Sequence, residues 1–271
     1  MDFVYYLLAL IQAVLEWLPV SSEGFITLTA VNGFHMDPMD AIRIAIYFHL
    51  GTGLAVLVKY WRQYWNALVK DYDVLRFLII STVATGIVGI PLYLLLDTIF
   101  ENSSSGLIFT LLIGITLLIT ATLLRFGRLK NSETYEMKDR KILDEILLGA
   151  CQGIAILPGI SRSGTTVTYL VLRGYKKEDA FNMSFLISLP AVIGAIGFDL
   201  VKHLLDNTSG TGVGIGIEWW NYVLLTLFTA IIGYAFMTLL LKVARKWRFD
   251  LICYALGGLT VLLITILLIL S

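Results

Sequence analysis

Six apolar runs of about 20 residues each, at roughly 41–58, 77–96, 106–124, 180–201, 219–241 and 251–270, dominate the chain. Each is long enough to cross the ~30 Å hydrocarbon core of a bilayer as a helix, and no soluble core could hide all six. Composition agrees: 58% of the 271 residues are hydrophobic and 15% are charged, against about 45–50% and about 25% in ordinary globular chains. The expected fold is an all-α polytopic membrane protein forming a single membrane domain over 1–271. The 20 Lys and Arg cancel the 20 Asp and Glu, so net charge suggests no nucleic-acid partner. Cys151 and Cys253 lie in apolar stretches without a C-x-x-C or Cys/His spacing, which indicates neither a disulfide framework nor a zinc site.

Two further apolar regions are interrupted. In 3–31, a stretch carrying Gln12 and Glu16 stops at Pro19, and another begins after Ser21, Ser22, Glu23 and Gly24. In 142–172, a stretch stops at Pro158, and another begins after Gly159, Ser161, Arg162, Ser163 and Gly164. Both read as short helix, polar loop, short helix.

Cation placement threads these pieces, because short cytoplasmic loops are enriched in Lys and Arg. Seventeen of the 20 cations fall in four loops, at 59–76, 125–141, 173–177 and 242–248. Those loops are expected to be cytoplasmic, and the loops near 97–105 and 202–218 external. The segment 142–172 has cationic flanks on both sides, so it enters from the cytoplasm and returns there as a re-entrant hairpin. The segment 3–31 is read as a matching hairpin dipping in from outside, which places both termini outside. A single crossing kinked at Pro19 is the other threading and would put the N-terminus inside.

The interrupted regions resemble one another: Gln12, Pro19, Ser21, Ser22 and Gly24 against Gln152, Pro158, Ser161, Ser163 and Gly164. Each precedes a span with an expected break, at Gly51-Thr52-Gly53 and at Leu189-Pro190-Ala191, both 32 positions beyond the proline of the loop. Hairpins entering from opposite sides are the signature of inverted-topology repeats that meet near the bilayer midplane. The repeats would cover about 1–125 and 142–271, with a cytoplasmic linker at 126–141. Small residues in membrane spans also serve plain helix packing, which would account for Gly51 and Gly53 but not for the paired polar loops.

Irregular backbone at membrane depth requires protein or a wet cavity around it. The Pro158–Thr166 loop would supply converging backbone N–H groups, the hydroxyls of Ser161, Ser163, Thr165 and Thr166, and the fork of Arg162. Such a cradle suits phosphate. A guanidinium within the membrane costs at least ~2.5 kcal/mol and usually marks function; its structural alternative is pairing with Glu16, Glu23 or carbonyls. Gln12 lies one turn before Glu16 on the same helix face. A carboxylate at Glu16 beside phosphate calls for a divalent ion, Mg²⁺ by its hard-oxygen preference, or for a general-base role. Ser21 and Ser22 face the same cavity. Either could be a nucleophile beside a base, with helix capping the plainer task for Ser21. His35, His49 and His203 form no spaced cluster; His49 faces either the cavity or the packing.

These residues resemble the undecaprenyl-pyrophosphate phosphatases of the UppP/BacA type. The resemblance covers essentially the whole chain and rests on Gln12-Ala13-Val14-Leu15-Glu16, continuing through Trp17 to Ser22, and on Pro158 to Thr166, which follows P-G-x-S-R-S-x-x-T. It implies hydrolysis of a C55-type polyprenyl diphosphate to the monophosphate in the cell membrane, with dependence on a divalent cation, Mg²⁺ or else Ca²⁺. Carried over by position, it implies Glu16, Ser22 and Arg162 as catalytic residues, with Ser22 the nucleophile. Gln12, Ser161, Ser163 and Thr166 fall on further site positions, and Ser21 and Gly159 are expected to line the substrate. Glu16 is the expected metal ligand. The partners implied are the lipid and the bilayer, with a homodimer left open. Phe25 stands where the family has a histidine, which leaves Glu16 or Glu23 as bases. Phosphatidic acid phosphatases of the second type need histidines near the phosphate site, and no histidine lies in either polar loop. Two other functions remain compatible with the residues: a flippase carrying polyprenyl phosphate by alternating access, and an inorganic anion transporter.

Overall fold

The computed structural model describes residues 3–100, 106–130, 134–205 and 219–270. Of the loops expected near 97–105 and 202–218, residues 101–105 and 206–218 lie outside the described residues, as does part of the linker at 131–133, while 97–100 and 202–205 end helices. The described chain is helical, apart from connecting segments and an isolated bridge between Tyr135 and Tyr175. Its α-helices are α1 (Phe3–Leu15), α2 (Ser22–Leu28), α3 (Pro38–Val69), α4 (Tyr72–Phe100), α5 (Gly106–Leu129), α6 (Ile142–Ile154), α7 (Arg162–Leu172), α8 (Lys177–Leu205), α9 (Trp219–Lys246) and α10 (Phe249–Leu270).

Six of these helices, α3, α4, α5, α8, α9 and α10, are long and apolar enough to cross a membrane, and they contain the six apolar runs of the sequence. The chain is a multi-pass membrane protein. Large apolar side chains such as Ile87, Ile193, Ile231 and Leu262 remain exposed on the outer faces of these helices, as a lipid solvent allows. The other four are short. At 1.5 Å per residue the 13 residues of α1 and of α6 each extend only about 20 Å.

The short helices pack in pairs against the long ones. The α1–α2 pair lies against α3 and α9, and the α6–α7 pair lies against α4 and α8. Helix α5 touches both α2 and α7, and packs along α10. Both interrupted segments therefore meet in the middle of the bundle.

The breaks expected at Gly51-Thr52-Gly53 and at Pro190 do not occur: α3 and α8 run through them. In α3 the non-helical residue is Tyr60, with φ −110° and ψ 17°. Gly51 serves a close helix crossing instead. A Cβ there would stand 2.7 Å from the Thr226 carbonyl oxygen on α9. Pro190 sits within α8, and membrane helices tolerate proline because their neighbours satisfy the freed backbone groups.

The three cations outside the four basic loops all find carboxylates. Arg43 on α3 lies 3.5 Å from Asp97 on α4, and Lys202 on α8 pairs with the same buried Asp97. Arg162 pairs with Glu16.

Candidate active site

The two polar loops touch. Ser21 adopts a left-handed conformation, φ 61° and ψ 83°, and its Oγ caps α2 by accepting from Gly24 N at 3.2 Å. The same oxygen accepts from Gly159 N of the second loop at 3.2 Å. A Cβ on Gly24 would come within 3.0 Å of the Gly159 backbone, so glycine permits this approach. Gly159 itself has φ 97°, and a Cβ there would collide with Thr116 Oγ1 on α5. Helix α5 carries the second loop: Thr116 donates to the Pro158 carbonyl, while Thr120 donates to the Gly159 carbonyl at 2.9 Å and accepts from Ser161 N at 3.0 Å. Such bonds satisfy an irregular backbone where water is scarce.

Glu16 is the hub. Its Oε2 accepts from Ser22 Oγ at 2.7 Å and from Gln12 Nε2 at 3.0 Å, and it lies 3.3 Å from His49 Nε2. Its Oε1 takes the Arg162 guanidinium. Arg162 also reaches the Ser184 carbonyl at 3.5 Å and lies 5.5 Å from the Phe185 ring centroid. His49 Nδ1 is 2.6 Å from the Ala45 carbonyl. Both ring nitrogens thus face acceptors, and the ring can donate to both only when it carries both protons. Ser161 caps α7 by accepting from Gly164 N at 3.1 Å, leaving the N–H groups at the start of that helix pointing out of its end.

These groups border a cavity of about 220 Å³. Of the residues expected from the sequence, Glu16, Ser21, Ser22, Ser161, Arg162 and Ser163 line it. Gln12, Gly159 and Thr166 do not line it; they stand behind those that do. Gln12 holds Glu16, Gly159 packs on α5, and Thr166 donates to the Arg162 carbonyl at 2.7 Å and bonds Ser184. Ser163 also borders a second cavity of about 290 Å³ lined by Arg128, Lys177 and Asp250.

Three buried oxygens on residues lining the first cavity, Glu23 Oε1, Gln152 Oε1 and Thr82 Oγ1, have no hydrogen-bond partner among the described residues. Among the described residues there is no group of three or more His, Cys, Asp or Glu side chains placed to hold a metal ion.

Residues 5–259 match the family model for the bacitracin resistance protein BacA. The chain belongs to the BacA family. It is 39% identical to an undecaprenyl-diphosphatase of Methanothrix thermoacetophila over 256 residues, covering 94% of each chain. It is 35% identical to a protein of the same name from Haloarcula marismortui over 269 residues, 95% of each chain. A Saccharolobus islandicus undecaprenyl-diphosphatase shares 35% identity over 263 residues, covering 96% of this chain and 95% of the relative.

Within this BacA-family chain the imidazole of the site comes from α3. Phe25, at the position where the resemblance places a histidine, packs with Val20, Ala121, Phe249 and Cys253. His49, which the sequence leaves open between the cavity and the packing, lines the cavity. Its mark in the sequence is a histidine within an apolar span, two residues before Gly51. Thr82 and Thr85 on α4 and Ser188 on α8 also line the cavity, and the sequence carried no motif to single them out.

Proposed function

We propose that this chain is a membrane phosphatase that removes the terminal phosphate of a polyprenyl diphosphate and leaves the polyprenyl monophosphate. The observation that carries this reading is the chain of contacts Arg162–Glu16–Ser22, assembled from two loops 146 residues apart. It brings a nucleophile, a proton acceptor and a phosphate-binding cation to one cavity. The undecaprenyl-diphosphatase name shared by the relatives in three organisms favours hydrolysis over the flippase.

In this reading the diphosphate lies against Arg162, Ser161, Ser163 and the start of α7, while the prenyl chain runs among the apolar helices. Arg162 turns from Glu16 to the phosphate oxygens, which frees a carboxylate oxygen. Ser22 Oγ, bonded to Glu16 at 2.7 Å, attacks the terminal phosphorus and gives up its proton to Glu16. The bond from that phosphorus to the bridging oxygen breaks, and polyprenyl monophosphate leaves. Water then releases orthophosphate from Ser22. His49 lends Glu16 positive charge from the far side, and Gln12 fixes its orientation. Preorganised positive charge is what phosphoryl transfer chiefly requires. A divalent cation, Mg²⁺ or Ca²⁺, would be held at the cavity carboxylates, Glu16 or Glu23, and would offset the charge of the diphosphate.

The α1–α2 and α6–α7 pairs are read as re-entrant hairpins within inverted repeats in the cell membrane, with both termini external. Their length supports this, since about 20 Å is too short to cross. So do the packing partners, because exchanging α1–α5 for α6–α10 turns α1 against α9 into α6 against α4, and α3 against α9 into α8 against α4. Helix α5 departs from the exchange by taking contacts from both α2 and α7.

Purified protein given prenyl diphosphates of increasing chain length is expected to release one orthophosphate per lipid, with the monophosphate as lipid product. Release of inorganic diphosphate, or of none, would overturn the reading.

A further inference from the structure

We propose that Glu23, rather than Glu16, is the carboxylate that takes the divalent cation in this cavity. The inference rests on the phosphatase reading and concerns which side chain the ion meets. Glu16 already has Ser22, Gln12, His49 and Arg162 on its two oxygens. An ion at Glu16 would either break the Ser22 and Gln12 bonds on Oε2 or, once Arg162 has turned to the phosphate, stand on Oε1 of a carboxylate that already faces His49.

Glu23 is in the opposite condition. It is 7% exposed, lines the cavity, and its Oε1 has no hydrogen-bond partner among the described residues. No cationic side chain pairs with it among the described residues, although it stands in the same cavity as a second carboxylate. A buried carboxylate without a partner is costly to keep charged. A substrate bringing further negative charge into the cavity raises that cost. A hard divalent ion answers both demands, because Mg²⁺ is commonly held by one or two carboxylates together with phosphate oxygens and water. The unpartnered Gln152 Oε1 and Thr82 Oγ1 belong to the same lining and are oxygens of the kind such an ion accepts. Glu23 directly follows Ser22 in the first turn of α2, and both line the cavity.

The test is Mn²⁺ binding to the purified full chain by electron paramagnetic resonance, alone and with a non-hydrolysable prenyl methylenediphosphonate. The wild type is expected to bind Mn²⁺, most tightly with the diphosphonate. Glu23→Gln should weaken binding at least about 10-fold, whereas Glu16→Gln should leave it within a few-fold. Glu23→Asp, which keeps a carboxylate, should retain most of the binding, and thermal unfolding of each variant checks that it is folded. Wild-type affinity in Glu23→Gln, loss of binding in folded Glu16→Gln or in folded Glu23→Asp, or no Mn²⁺ bound by the wild type would overturn the proposal. Phosphate release by a wild type that binds Mn²⁺ through Glu16 would sink this assignment and leave the phosphatase reading intact. Mn²⁺ binding at Glu23 without phosphate release would do the reverse.

Discussion

The two polar loops answer one structural problem in different ways. Each must turn the chain between two short helices deep in the bundle. The second loop turns on Gly159, at φ 97°, and hangs its backbone on the hydroxyls of Thr116 and Thr120. The first turns on a serine, Ser21, at φ 61°, whose own hydroxyl caps α2 and reaches across to Gly159. Their chemistry is divided as sharply. The first loop and its flanks hold the carboxylates Glu16 and Glu23 and the hydroxyl of Ser22, while the second holds Arg162 and the start of α7. In the proposed reaction neither loop would suffice alone, because the nucleophile and its carboxylate come from the first and the phosphate-binding cation from the second.

The largest effects should be on catalysis. Glu16→Gln and Ser22→Ala are each expected to lower kcat/KM about 10³-fold in steady-state phosphate release, and the double variant should lose little more, because residues that act as a unit are not additive. Losses that multiply would separate Ser22 from Glu16 and favour direct attack by water.

The two turns should differ next. Gly159→Ala is expected to destabilise the protein by about 1–3 kcal/mol, from the left-handed backbone and the collision with Thr116. Ser21→Gly should change stability by less than about 1 kcal/mol, since relief of a strained φ offsets the lost cap. Thermal unfolding in detergent measures both, and equal losses would erase the contrast between the turns.

The smallest effect concerns the linker. Glu136 accepts from Lys176 Nζ at 2.6 Å and pairs with Lys138 at 3.0 Å. The hydrogen bonds from Lys176 and then Lys138 hold its carboxyl down at about 2. A carboxyl lowered on folding contributes stability above its unfolded value of about 4.3, and that contribution fades as pH falls toward 2. Wild type and Glu136→Gln should therefore differ slightly in thermal stability at neutral pH and converge on acidification. The pair is exposed, so salt should shrink the difference.

Much of this was legible in the residues. Length and apolarity marked all six spans, and Pro19 and Pro158 marked both loops, because polar residues at membrane depth stand out against their surroundings. Arg162 and Glu16 could be named for the same reason, and they are found paired. Small residues carried less information. Gly51, Gly53 and Pro190 suggested breaks, but glycine serves close packing as readily as bending, and the contact of α3 with α9 decides between them. His49, Thr82 and Ser188 join the cavity from helices far apart in the chain, and no local pattern reports a convergence made by tertiary packing. Thr166 lies within the motif yet one turn behind the cavity, where its hydroxyl bonds the Arg162 carbonyl. A motif records which residues are needed together, without distinguishing those that touch substrate from those that hold them.

The central claim is that the acidic loop and the cradle loop form one phosphatase site. The most direct measurement is orthophosphate release from a C55-type polyprenyl diphosphate in proteoliposomes, with movement of lipid between leaflets followed in parallel. The wild type is expected to release phosphate, and Arg162→Ala to lose about 10³-fold of that rate. Wild-type release by Arg162→Ala, or lipid movement by the wild type without any release, would contradict it.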